Sequence, residues 1–117
     1  MSSFVEIFLK KDEVIFHSGD LADKLYYLKS GSIGMKDSIT GDIFATVGEG
    51  ESFGEQAMLI GGIRAATAIA TQNSICFEIK ATDLKDLLKK QSPILTPIFE
   101  ALILQQNMHN ALIHKTD

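Results

Sequence analysis

The residues best equipped for chemistry in this chain are concentrated between Gly48 and Ala70, in the run GEGESFGEQAMLIGGIRAATAIA. Phe53-Gly54-Glu55 leads into a short helix-forming run, Gly61-Gly62 follows, and Arg64-Ala65-Ala66-Thr67 opens a strand. Gly54 permits a close backbone approach and a positive φ that a side chain would block. A helix over roughly 55–60 presents free N–H groups at its start, an electropositive concavity suited to a phosphate. Arg64 stays charged and carries a fixed fork of donors that reaches back across that concavity to two phosphate oxygens. It also precedes an alanine-rich strand that reads as buried, so its guanidinium requires an anionic partner there. Glu55, as an acid in a first helical turn, favours the helix dipole by about 0.3–1 kcal/mol. These types and spacings favour reversible capture of a small organic anion.

Such a constellation needs a rigid frame. From Phe4 to Ile79 the chain alternates short β-branched and aromatic runs with Gly, Ser, Asp and Asn, the pattern of an antiparallel β architecture. Strands are predicted near residues 13–17, 24–30, 32–36, 42–47, 65–71 and 74–79, with turns at 18–20, 30–31, 40–42, 48–50 and 72–73. Strands of this length and spacing suit a barrel or jelly roll, with the 55–60 helix as its one helical interruption. Tyr26 and Tyr27, adjacent in one strand, point to opposite faces, one packed and one wet. After Lys80 the period changes. Thr82 is the expected N-cap of a helix carrying Leu84, Leu87 and Leu88 on one face, ended by Ser92-Pro93. A second helix is expected over 94–113, with Pro97 in its first turn and a stripe of Leu95, Ile98, Leu102, Gln105 or Gln106, His109 and Leu112.

Composition bounds the rest. A chain of 117 residues fits one domain, taken as 1–117, with a β-barrel over about 4–80, an anion-binding segment at 48–70 and helices at 82–113. The net charge of −4, with basic pairs only at Lys10-Lys11 and Lys89-Lys90, argues against a nucleic-acid surface and against attraction to anionic membranes. The apolar run in residues 1–9 is too short for a signal peptide and lacks a basic start, and no run has the length of a membrane span. A soluble, cytoplasmic chain is expected. Cys76, the lone cysteine, reads as a small buried hydrophobe. The three histidines, His17, His109 and His114, match no common metal spacing, and no serine stands in a nucleophile-elbow setting. No metal, no cofactor and no catalysis are expected.

Phe53-Gly54-Glu55-x-Ala57-Met58 with Arg64-Ala65-Ala66-Thr67 closely resembles the phosphate-binding cassette of cyclic nucleotide-binding domains. That family includes the regulatory subunits of cAMP-dependent protein kinase, the catabolite activator protein family and cyclic nucleotide-gated channels. Val14-Ile15-Phe16, Gly19-Asp20, Leu25-Tyr26-Tyr27-Leu28 and Ser30-Gly31 resemble the same family's first strands and turns. The resemblance implies a double-stranded β-helix, or jelly-roll barrel, with a short phosphate-binding helix and two C-terminal α-helices. It implies a ligand site made of Phe53, Gly54, Glu55, Gln56, Ala57, Arg64, Ala65 and Thr67. Glu55 would accept a hydrogen bond from the ribose 2′-hydroxyl, Gln56 and Ala57 would offer backbone N–H groups, and Arg64 would hold the phosphate. Ala65 occupies a position where cGMP-preferring members commonly carry Thr or Ser, so cAMP is the expected ligand and cGMP the second. Thr67 is the residue that would partly substitute for that hydroxyl, and Phe99 and its neighbours are candidates to cover the base.

In the resembling family the last helix closes over the base or pairs with its counterpart in a homodimer. The helix usual before the first strand is largely missing here, because strand 13–17 arrives early. With no helix-turn-helix, kinase or channel segment in the sequence, output would pass to an effector protein of unknown identity. Two other classes remain open at this point: a ligand-free barrel serving as an interaction or dimerisation module, and a cupin-like metal enzyme. Together Glu55 and Arg64 argue against the first. The lack of an H-x-H pair argues against the second.

Overall fold

The computed structural model describes residues 4–55, 62–95 and 97–102. Two four-stranded antiparallel sheets face each other around one core. The first has the order β1-β8-β3-β6, from Phe4–Leu9, Ser74–Lys80, Lys24–Ser30 and Ser52–Phe53; the second is β2-β7-β4-β5, from Val14–Phe16, Thr67–Ala70, Ile33–Lys36 and Ile43–Val47. This is the expected mainly β jelly roll. The helix α1, Ala81–Gln91, follows the last strand directly.

β3 shows how the sequence sets the two faces. Tyr26 and Leu28 point inward, Tyr27 and Lys29 outward, as a period of two demands. Tyr26 is 4% exposed and Tyr27 41%, the packed and wet pair expected of them. Leu28, Ile33 and Cys76 are wholly buried, with Ala68 and Ala70 beside them. Burying a side chain the size of Leu28 contributes about 1.5–3 kcal/mol. Gly31, at φ +104°, lets the turn after β3 pack against the strand-end at 73–74; a Cβ there would lie 2.7 Å from the Asn73 carbonyl oxygen.

Two strands were not among the sequence expectations. β1 pairs along its length with β8, from Phe4 opposite Ile79 to Leu9 opposite Ser74, so the apolar start of the chain is an edge strand preceding 13–17. β6 is only two residues long and pairs Phe53 with Tyr26. Its brevity hides it from any periodicity. One helix boundary also differs. The helix begins at Ala81, not after Thr82: its N-cap is Lys80, no side chain caps it, and the Ala81 N–H donates to the Asp23 carbonyl at 3.0 Å. A tertiary acceptor therefore replaces the local one. Its end is as expected, with Ser92 extended ahead of Pro93.

Leu95 and residues 97–102 are helical and belong to the second predicted helix, and Ile94 lies in the turn before it; residues 96 and 103–113, including Gln105, Gln106, His109 and Leu112, lie outside the described residues. A Lys85–Glu100 ion pair at 3.8 Å joins this segment to α1. Ile98 and Leu102 of its stripe are exposed, and Phe99 is half-buried. Among the described residues, no helix is long and apolar enough to cross a membrane.

Candidate functional site

The site is built where the bend after β6 meets the segment ahead of β7. Gly54 adopts φ +85°, the left-handed conformation expected of it, and a Cβ there would lie 2.8 Å from Arg64 Nη1. The glycine is needed for both its backbone and its bareness. On the other side, residues 62–64 are clamped to the turn at 17–22. The Arg64 N–H donates to the Asp20 carbonyl at 2.9 Å, Gly19 N–H to the Arg64 carbonyl at 2.8 Å, and Ala22 N–H to the Gly62 carbonyl at 2.6 Å. Arg64 therefore does not open the strand as expected. Its backbone bonds go to the turn, Ala65 and Ala66 bend, and β7 starts at Thr67.

Arg64 is 3% exposed, pointing into the barrel. Its Nη1 donates to the Gly54 carbonyl and its Nη2 to the Lys24 carbonyl, each at 2.5 Å. The Phe16 ring lies against the guanidinium, 4.1 Å from its central carbon to the ring centroid. Among the described residues no carboxylate forms an ion pair with it, although the sequence argument required an anionic partner. The two carbonyls stand in by dipole only. Burial presses the guanidinium below its ordinary pKa, while Tyr26, Asp23, Glu55 and Asp20 favour the charged form. Tyr26 itself is pushed up by burial and by the adjacent Glu78 carboxylate.

Glu55 is 5% exposed, and its Oε1 accepts a long hydrogen bond from Ser52 Oγ at 3.5 Å. Among the described residues, Glu55 Oε2 and Arg64 Nε are the two buried side-chain polar atoms without a hydrogen-bond partner. One is an acceptor and the other a donor. Leaving such a group unmade costs about 1–3 kcal/mol, more when it is charged. This region can supply one N–H to an anionic oxygen and one carboxylate oxygen to a hydroxyl, in a setting shielded from water.

The remaining predicted residues divide. Phe53 is buried and stacks on Tyr26, ring centroids 5.1 Å apart at 16°. Ala65 is exposed, and its carbonyl accepts from Ser18 Oγ at 3.5 Å. Thr67 is half-buried, and its hydroxyl oxygen accepts the Ser18 N–H at 3.0 Å, which ties it to the turn. Gln56, Ala57 and the 55–60 helix lie outside the described residues apart from Glu55. Sequence reasoning missed the Lys24 carbonyl and the roles of Phe16 and Asp20. The carbonyl carries no side-chain signal; Phe16, an aromatic directly before the 17–20 turn, does.

Comparison with known proteins agrees with this geometry. The model of the family described as cyclic nucleotide-binding domain matches residues 6–91. A cAMP-dependent protein kinase regulatory subunit from Candida albicans is 33% identical over 79 residues, covering 67% of this chain and 17% of that protein. The solved catabolite activator protein of Thermus thermophilus superposes with a TM-score of 0.78 at 26% identity, covering 97% of this chain and 55% of that one. The regulatory domain of Toxoplasma gondii PKA, solved with cAMP, gives a TM-score of 0.62 at 28% identity, covering 67% of this chain and 31% of that one. The chain thus spans only a part of each relative. With two sheets in jelly-roll order, an inward arginine beside a left-handed glycine, and a family match over most of its length, this chain belongs to the cyclic nucleotide-binding domain family.

Proposed function

We propose that this chain, as one unit over residues 1–117, binds cAMP reversibly in preference to cGMP and does no chemistry on it. The cyclic phosphate would take the free Nε–H of Arg64 together with backbone N–H groups of Gln56 and Ala57, and the ribose 2′-hydroxyl would donate to Glu55 Oε2. The observation that carries this reading is the pair of buried, unpartnered atoms of opposite hydrogen-bonding character, Arg64 Nε and Glu55 Oε2. An apolar core has no use for either, and a ribose phosphate supplies both complements. The methyl group of Ala65 and the engaged oxygen of Thr67 favour cAMP over cGMP.

Binding would be transmitted by differential affinity for two positions of the C-terminal helices. Arg64 Nη2 is bonded to the Lys24 carbonyl, and the preceding carbonyl, of Asp23, holds the first N–H of α1. A ligand that draws the guanidinium shifts a peptide adjacent to the one anchoring the helix. The last helix would then serve as lid or as homodimer contact, and an effector protein would receive the change.

Calorimetric titration and melting with cAMP and with cGMP test the reading. At about a hundred times its dissociation constant, cAMP should add roughly 2.7 kcal/mol of stability. Arg64→Ala removes charge-assisted hydrogen bonds worth about 1.5–3 kcal/mol each, so affinity should fall on the order of a hundredfold while the chain still melts cooperatively. A variant that binds cAMP as tightly as the parent overturns the assignment.

A further inference from the structure

Phe16 is absent from the predicted ligand site, yet it forms the face on which the guanidinium of Arg64 rests. We propose that Phe16 is a positioning residue for phosphate capture: its ring fixes the plane of Arg64 so that the Nε–H is presented where the anion binds. The inference rests on the cyclic nucleotide reading above.

A planar cation is immobilised when its edge and its face are both held. The Gly54 and Lys24 carbonyls hold the edge through Nη1 and Nη2, and Phe16 holds the face at 4.1 Å, closer than Tyr26 at 6.0 Å. The ring cannot tip, because it is 7% exposed and wedged against Tyr26 at 5.8 Å and Phe53 at 6.5 Å between centroids. Its place is set by the backbone. The register of β2 on β7 slips between Val14 and Phe16, which pairs Phe16 with Ala68, where only a methyl group occupies the interior. An aliphatic side chain at position 16 would fill the space and exclude water, but it would not attract the cation. Where a cation is desolvated, the attraction of an aromatic face is worth about tenfold or more in affinity.

The test places phenylalanine, 4-fluorophenylalanine and pentafluorophenylalanine at position 16 and adds Phe16→Leu, with cAMP titrated calorimetrically into each and the melting temperature of each ligand-free chain recorded. Fluorine withdraws the negative charge of the ring face while keeping its shape, so a packing role and a positioning role separate. We expect cAMP affinity to fall in steps along the fluorinated series, by about tenfold at its end, with cooperative melting retained, and to fall similarly in Phe16→Leu. Equal affinity across the fluorinated chains overturns the proposal, and if the pentafluoro chain does not fold, equal affinity of the 4-fluoro chain and the parent does so alone. A parent chain that binds neither cAMP nor cGMP overturns the underlying reading instead, before any variant is made.

Discussion

Arg64 is a full charge that the fold buries with carbonyl dipoles and an aromatic face in place of a counter-ion. Removing a charge from water this completely is expensive, and it leaves Nε without a partner. Cys76 is the opposite case, a titratable group buried in its neutral form. It is wholly buried in the core, and burial pushes its thiol up to about 11. In the unfolded chain it ionises near the ordinary value of about 8.5. Between those values the unfolded state binds fewer protons than the folded one, so Cys76 stabilises the fold below about pH 8.5 and that contribution is lost as pH rises toward 11. Stability measured by denaturant at pH 7.5 and pH 10 should fall, and a Cys76→Ala chain should show a smaller fall; equal falls would show the thiol is not responsible. At pH 8 the folded protein should react with an aromatic disulfide reagent only as fast as it opens.

At the scale of elements, the turn joining β1 to β2 carries the one non-glycine residue with positive φ among those described, Asp12 at φ 76°. The turn is closed by Glu13 N–H donating to the Lys10 carbonyl at 3.0 Å, and Asp12 N–H donates to the Ala70 carbonyl at 2.7 Å. Its backbone is thus held in the left-handed region by β7 as well as by its own turn. For a residue with a Cβ this conformation costs about 1–2 kcal/mol, whereas glycine adopts it freely but loses more entropy on folding. Asp12→Gly is therefore expected to stabilise by about 0.5–1 kcal/mol, read as a higher denaturation midpoint at unchanged slope. A lower midpoint would mean that the Asp12 carboxylate makes a contribution larger than the strain. Because this turn delivers β2, it also bears on where Phe16 sits.

For the whole molecule the balance of charge sets what the site accepts. One buried cation faces Glu55, with Asp20 and Asp23 close enough to act on it, and the stretch 56–61 adds no lysine or arginine. A cyclic phosphodiester brings a single negative charge and is matched. A phosphomonoester brings nearly two above its second pKa of about 6, and the second meets carboxylates. Adenosine 5′-monophosphate should bind at least about tenfold more weakly than cAMP at pH 7.5, and should gain affinity toward pH 5.5 more than cAMP does. Titrations at the two pH values check this, and equal affinities at pH 7.5 would remove the charge argument. The division between chain and fold follows the same physics. Period-two alternation, turn residues and the left-handed glycine at 54 are local properties, so the sequence alone determined the β class, the opposite faces of Tyr26 and Tyr27, and the buried cysteine. What only the tertiary structure decided was non-local: the pairing of β1 with β8, the Asp23 carbonyl that starts α1, and the Lys24 carbonyl and Phe16 ring that seat Arg64. A backbone carbonyl has no residue type to read, and a ring declares its partner only after a strand slips its register.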